Sequence, residues 1–198
     1  MAGRPRSIDN TQIFEAMIRV MGRTGPGSMS LASVAEEAGI VPGTLVQRFG
    51  SKRGLILALA EYTGQRSADL REQAQRDQRR SLDVLIELLV GAWDSSTTPQ
   101  QYANHLAFLC ADLADAQFLG LTQENHRSQR TLIDDLLHAG VDTGDLLEGT
   151  DVENLTATIQ SVIAGAGVIW AIEQRGPLTE RLHSALEQVL APHRTPTP

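Results

Sequence analysis

The chain is poor in the residues that several architectures require. It has one cysteine, Cys110, in 198 residues, so no internal disulfide can form. Its five scattered histidines make no Cys/His set at metal-ligand spacing. A disulfide scaffold and a structural zinc site are therefore not expected, and neither metal nor cofactor is called for. Aromatic residues make up only 4% of the chain, too few for a large aromatic cage. No run of 18 uncharged apolar residues occurs, and the N-terminus MAGRPRSIDN has no hydrophobic signal core. The expectation is a soluble, cytoplasmic protein with no membrane partner. Catalytic constellations are missing as well: there is no Ser/His/Asp or Cys/His set, no phosphate-binding glycine loop, and no carboxylate pair in an evident environment. An enzyme is not expected.

With 41% hydrophobic residues, the chain can bury a normal core in one large or two small domains. Net charge is −7, which taken whole argues against nucleic acid. The distribution of charge along the chain points the other way. Residues 1–53 carry seven cations (Arg4, Arg6, Arg19, Arg23, Arg48, Lys52, Arg53) against four anions (Asp9, Glu15, Glu36, Glu37), a net +3. The remainder holds 10 cations and 20 anions. A small positive head on an acidic body is expected to meet DNA through the head alone.

The stretch Leu31 to Arg53, LASVAEEAGIVPGTLVQRFGSKR, reads as two short helices joined by a turn at Ala38-Gly39-Ile40, a break at Gly50, and a further helix from Ser51. That is the layout of a helix-turn-helix, which places its second helix in a DNA major groove. Before it, Ser7 or Asp9 can cap a helix with Ile13, Phe14, Met17, Ile18 and Met21 at helical spacing, ended by Arg23 to Gly27. Ser30 suits the N-cap of the next helix and is counted with the DNA-facing residues; Leu31, Val34, Ala35 and Ala38 form the inward face of that helix. Pro42 suits the first position of the third helix. Leu45 and Phe49, four apart, point inward, leaving Gly43, Thr44, Gln47 and Arg48 outward. Gln47 and Arg48 offer hydrogen-bonding groups suited to adenine and guanine edges. Ser51-Lys52-Arg53 puts two cations where a helix dipole disfavours them, and a DNA phosphate would compensate. The basic arm with Arg4 and Arg6 can enter the adjacent minor groove. An ordinary solvated helix face and a solubilising tail are the plainer readings of the same residues.

Residues of about 8–60 resemble the DNA-binding domain of the TetR family of bacterial transcriptional regulators, in the order and spacing of Ala38-Gly39, Gly43-Thr44-Leu45, Phe49 and Ser51-Lys52. There are two departures. The usual serine capping the recognition helix is Val41, and the usual tyrosine after the leucine is Val46, which keeps only the apolar part of that residue's DNA contact. The resemblance implies an all-α fold: an N-terminal three-helix DNA-binding domain over 1–53 and a helical ligand-binding and dimerisation bundle over 54–198.

Beyond residue 54 the likeness is one of architecture. Leu55, Leu59, Tyr62 and Arg66 continue one helix face, and Gln73 to Arg80 is polar. Ser81 is expected to cap a helix with Leu82, Leu85, Ile86, Leu89 and Trp93 on one stripe, stopped near Ser95 to Pro99. Tyr102 to Leu113 is apolar on more than one face and is expected to be a buried helix, with Cys110 as a small core residue. In a helix from about Gln117 to His138 the inward stripe turns polar over Thr122 to Thr131. There, Asn125, His126 and Gln129 either line a ligand cavity or face water. Tyr62, Trp93, Tyr102, His105, Phe108 and Trp170 complete the expected pocket walls, with plain core as the alternative. Two last helices, about 152–174 and 178–190, are expected by resemblance to form the homodimer interface; Gly165 and Gly167 inside the first call for tight packing.

The reading that follows is a dimeric repressor on a palindromic operator, released by a small-molecule effector. A ligand-independent regulator or an activator would share every head residue. A helical enzyme or a protein-binding module is the more distant alternative.

Overall fold

The computed structural model describes residues 8–76 and 80–196. Among them are nine α-helices and no strand: α1 (Asn10–Ser28), α2 (Leu31–Glu37), α3 (Pro42–Phe49), α4 (Lys52–Arg76), α5 (Ser81–Val90), α6 (Pro99–Leu113), α7 (Ala116–Asp142), α8 (Val152–Glu173) and α9 (Leu178–Leu190), then a 3-10 turn at Ala191–His193. The all-α class with an N-terminal helix-turn-helix is as expected. The chain divides into two compact units. Met1–Tyr62 joins Gln100–Thr122 in the first, and Thr63–Pro99 joins Gln123–Pro198 in the second. By contact, α6 therefore lies in the same unit as α1 to α3.

In the first unit Asp9 is the N-cap of α1, and its N–H donates to Gln12 Oε1 at 3.3 Å. Ser7, the other expected cap, lies outside the described residues. Ile13, Phe14, Met17 and Val20 are buried and Met21 is half-buried, but Ile18 is 40% exposed, so the inward stripe is narrower than its spacing suggests. The helix breaks at Gly25 (φ 68°, ψ 178°), after which Pro26 opens a last turn. Only glycine tolerates that φ readily. Asn104 of α6 seals the break by donating from Nδ2 to the Gly22 carbonyl at 2.7 Å. In α2, Ser30 Oγ accepts from the Ser33 N–H at 3.1 Å, and Ser33 Oγ accepts from the Ser30 N–H at 3.0 Å. Gly39 turns the chain at φ 68° and Gly50 at φ 74°. Val34, Ala35, Leu45 and Leu55 close the head core with α1, and Phe108 of α6 joins it.

In the second unit Leu82, Leu85, Ile133, Leu137, Leu146, Ile159 and Leu186 make one core from α5, α7, α8 and α9. Three expectations are corrected here and in α6. The N-cap of α5 is Arg80, and Ser81 is its first helical residue, with its hydroxyl buried and without a hydrogen-bond partner among the described residues. The helix stops at Val90 rather than near Ser95, where the Trp93 N–H bonds the Val90 carbonyl at 3.1 Å in a tighter turn, and beyond it Asp94 accepts from Ser96 N–H at 2.7 Å and Ser96 Oγ at 2.6 Å. Such an Asp side chain substitutes for the next helical bonds. In α6 only Tyr102 and Phe108 are buried, whereas Leu109 and Leu113 are 42% and 51% exposed and Cys110 is exposed. A helix apolar on several faces does not reveal which faces have neighbours.

The polar stretch Thr122 to Thr131 is helical throughout, inside α7. The core side of α8 presents Val152, Leu155, Ile159 and Trp170, and α9 packs along it through Leu178, Leu182 and Leu186. By length and composition alone α8 could cross a membrane, with mean hydropathy 1.7. It is nonetheless one wall of this core.

Candidate nucleic-acid interface

The candidate recognition helix is α3. Its orientation follows from two side chains: Leu45 is fully buried, and Phe49 packs on Phe14 with ring centroids 5.9 Å apart. At about 100° per residue the opposite face carries Gly43 and Gln47, flanked by Val46 and Thr44. Gly43, Val46 and Gln47 are exposed and Thr44 is half-buried. Pro42 opens the helix after Val41, which caps it with no side-chain bond and is 68% exposed. A Cβ built on Gly43 meets nothing within 4 Å. The fold itself makes no demand for glycine there.

The head's cations differ in how they are neutralised. Arg19 and Arg23 both pair with Glu37, at 2.7 and 2.8 Å, which holds its carboxyl below the ordinary range. Arg53 grips Asp115 with two nitrogens at 2.7 and 3.0 Å, donates to Gln117 Oε1 at 2.9 Å, and lies 4.7 Å from the centre of the Phe118 ring. That guanidinium brings Asp115 down to about 2, and the Gln117 and Phe118 N–H groups reinforce it. Among the described residues, Arg48 and Lys52 form no ion pair. Arg48 donates to the Ile8 carbonyl at 2.7 Å and Lys52 to the Pro26 carbonyl at 2.9 Å. Both partners are neutral, so these two positive charges remain uncompensated on either side of Gly50.

The start of α4 is therefore satisfied from within the chain. Ser51 Oγ accepts the Gly54 N–H at 3.1 Å, Lys52 has Pro26, and Arg53 has Asp115. Sequence reasoning passed over Gly54: a Cβ there would stand 2.0 Å from the Phe49 carbonyl oxygen, so α4 can leave α3 at this angle only without a side chain. A glycine inside the first turn of a helix was the available signal. Asp115 gave none, because it lies 62 residues from Arg53.

Gly43, Thr44, Val46, Gln47, Arg48 and Lys52 are gathered on and around α3, and Ser30 is exposed at the start of α2 with its hydroxyl engaged in the cap. Arg4 and Arg6 lie outside the described residues. The expected pocket residues fall in both units. In the first, Tyr62 packs on Phe14 at 4.9 Å between centroids, Tyr102 and Phe108 are buried, and burial holds His105 below the ordinary histidine range. In the second, Asn125 donates to Thr63 Oγ1 at 3.5 Å, His126 and Gln129 are exposed, Trp93 is half-buried, and Trp170 donates to the Gly176 carbonyl at 2.9 Å. A groove of roughly 750 Å³ in the second unit is lined by Arg130, Asp134, His138, Asp142, Asp151 and Glu153 among others, and by none of the expected pocket residues.

Residues 13–59 match the model of bacterial regulatory proteins, tetR family. The chain is 21% identical to the fatty acid metabolism regulator protein of Bacillus subtilis (strain 168), over 91% of this chain and 93% of that one. Among solved structures it is similar to a TetR transcription regulator from Haloarcula marismortui, with TM-score 0.73, 18% identity and coverage of 94% of this chain and 98% of that one. It is similar also to the transcriptional regulator FadR from Bacillus subtilis in complex with stearoyl-CoA, with TM-score 0.63, 20% identity and coverage of 92% and 98%. The family match falls on the helices that carry the exposed α3 face, so residues 13–59 are the part of the chain matched to the bacterial regulatory proteins of the tetR family, and the fold of these solved regulators is shared over more than nine-tenths of the chain.

Proposed function

We propose that the protein is a cytoplasmic repressor that binds a palindromic operator as a two-fold dimer and leaves it when a small molecule enters the helical body. The observation that carries the DNA half is the exposed face of α3 beside two cations that no carboxylate neutralises. In this reading Gly43, Thr44, Val46 and Gln47 enter the major groove. Gln47 is the hydrogen-bonding reader, Val46 and Thr44 offer methyl contacts to thymine, and Gly43 allows close approach. Lys52, with the backbone near Ser30, faces phosphate. Residues 1–53 act as the head and 54–198 as the effector and dimerisation body.

The dimer is supported by α8, whose far side leaves Val168, Ile169 and Ile172 at 38, 43 and 72% exposure. Gly165 on that side has nothing within 4 Å of its Cβ position in the single chain. A second copy packed on α8 would supply the close neighbour that a mid-helix glycine suggests. One recognition helix reads too few bases, and two heads one DNA turn apart read a palindrome.

The effector class we infer is a long-chain acyl-CoA, on the likeness to a regulator solved with stearoyl-CoA. A mobility-shift assay on the DNA upstream of the protein's own gene, at low salt, tests both halves. The expected result is a shifted complex that stearoyl-CoA disperses. Absence of a shift would remove the repressor reading, whereas a complex indifferent to stearoyl-CoA would remove only the effector class.

A further inference from the structure

The start of α3 is an apolar tip. Val41, Pro42 and Gly43 are exposed in succession, and none of them carries a polar side-chain atom. Pro42, the first helical residue, also lacks an N–H. Val41 is the N-cap, held in extended conformation (φ −84°, ψ 144°); its carbonyl accepts the Thr44 N–H at 3.0 Å, while its side chain makes no cap bond. Valine is among the weakest N-caps, whereas a serine in that role accepts from the helix's own N–H groups, as Ser30 does for α2. At 68% exposure Val41 is also the most exposed large hydrophobic among the described residues of the first unit. The fold therefore draws neither a cap nor core burial from this side chain.

Such a tip has no side-chain donor or acceptor to offer a base edge. The N–H that Pro42 lacks is moreover one of the donors with which a helix start holds phosphate. What remains is apolar contact. The one apolar group that a base edge presents in the major groove is the C5 methyl of thymine, and the first residues of a recognition helix are those that reach base edges. Gly43, whose Cβ position has nothing within 4 Å, leaves room for close approach.

We propose that Val41 is a specificity-determining residue: it packs on the C5 methyl of one thymine in each half-site, so that the start of α3 selects an A·T pair by apolar contact where Gln47 selects by hydrogen bonds. It adds to the contacts of Thr44 and Val46 the one side chain of the three that the fold does not use. The inference rests on the DNA-reading role proposed above.

Selection from a randomised duplex library by the intact chain first defines the half-site. Each of its thymines is then replaced by deoxyuridine, one position at a time in both half-sites, and binding is measured for the intact chain, Val41→Ala and Val41→Ser. At one position the lost methyl should weaken the intact chain about fourfold for each half-site. There the two variants should be indifferent to the replacement to within about twofold, the scatter of uncoupled changes, while the other thymines keep their effects in all three proteins. Val41→Ser should also melt higher than the intact chain, because serine caps α3; it keeps the comparison decisive if Val41→Ala does not fold. Equal sensitivity to deoxyuridine in the three proteins at every position would overturn the inference, as would a half-site without thymine or a Val41→Ser chain that melts lower. An intact chain that selects no sequence at all would instead bring down the DNA-reading role on which it rests.

Discussion

A methyl group at position 54 would stand 2.0 Å from the Phe49 carbonyl oxygen, whereas one at position 43 would meet nothing within 4 Å. These two glycines of the head therefore answer to different demands. Gly54→Ala should destabilise the head by about 1–3 kcal/mol, the usual penalty of overpacking against backbone, read as a lower urea midpoint. Gly43→Ala should raise stability by up to about 1 kcal/mol, because alanine favours a helix over glycine, and should nevertheless weaken operator binding in the same mobility-shift assay. Weakened stability together with unchanged binding at position 43 would contradict the groove-facing assignment. Cys110 gives a second, simpler contrast. Its thiol is exposed, so a maleimide should label it in the native protein about as fast as after unfolding. Spacing alone revealed Leu45 and Phe49 as the inward residues of α3, because helix periodicity is local. Gly54 and the bond from Arg48 to Ile8 depend on backbone that approaches in space, across 40 residues for Arg48.

Between helices, the best-defined ion pair of the first unit joins the start of α4 to the turn between α6 and α7. Arg53 holds Asp115 there and brings its carboxyl from an ordinary 3.8 to about 2. A carboxyl lowered on folding stabilises the native state above its unfolded value, and that contribution disappears as pH falls through the native one. The melting temperature of the intact protein should thus drop more steeply between about pH 4 and pH 2 than that of Asp115→Asn, which has no such proton to gain. The energy is small, since the pair is solvent-accessible, but its sign is determined. The helix dipole marks Lys52 and Arg53 as cations in need of partners. A phosphate would serve both, while the fold provides a carbonyl for Lys52 and a carboxylate for Arg53. Helix ends show the same limit: α3 and α9 begin and end at prolines, glycines and apolar registers visible in the chain, but α5 ends at Val90, before the polar run that marks a stop in the sequence.

For the molecule as a whole, the proposed dimer is tested at the exposed side of α8. Ile172→Glu places a charge on a residue that is 72% exposed in one chain, so the folded chain should tolerate it. It should nonetheless convert a dimer to monomers in sedimentation velocity and abolish the operator shift, since a single head reads half a palindrome. A monomer that still shifts the operator would contradict the two-fold arrangement.

The linear sequence by itself determined the helical class, the helix-turn-helix with its inward Leu45 and Phe49, and the resemblance of that segment to the tetR family. Each of these depends on residue types at fixed short spacing, which periodicity and backbone preference translate directly into local structure. Only the tertiary structure decided which positive charges a carboxylate neutralises, that α6 packs in one unit with the first three helices, and that Cys110, Leu109 and Leu113 face outward. Charge neutralisation and burial are sums over neighbours in space, and residues such as Arg53 and Asp115 become neighbours only after the chain has folded.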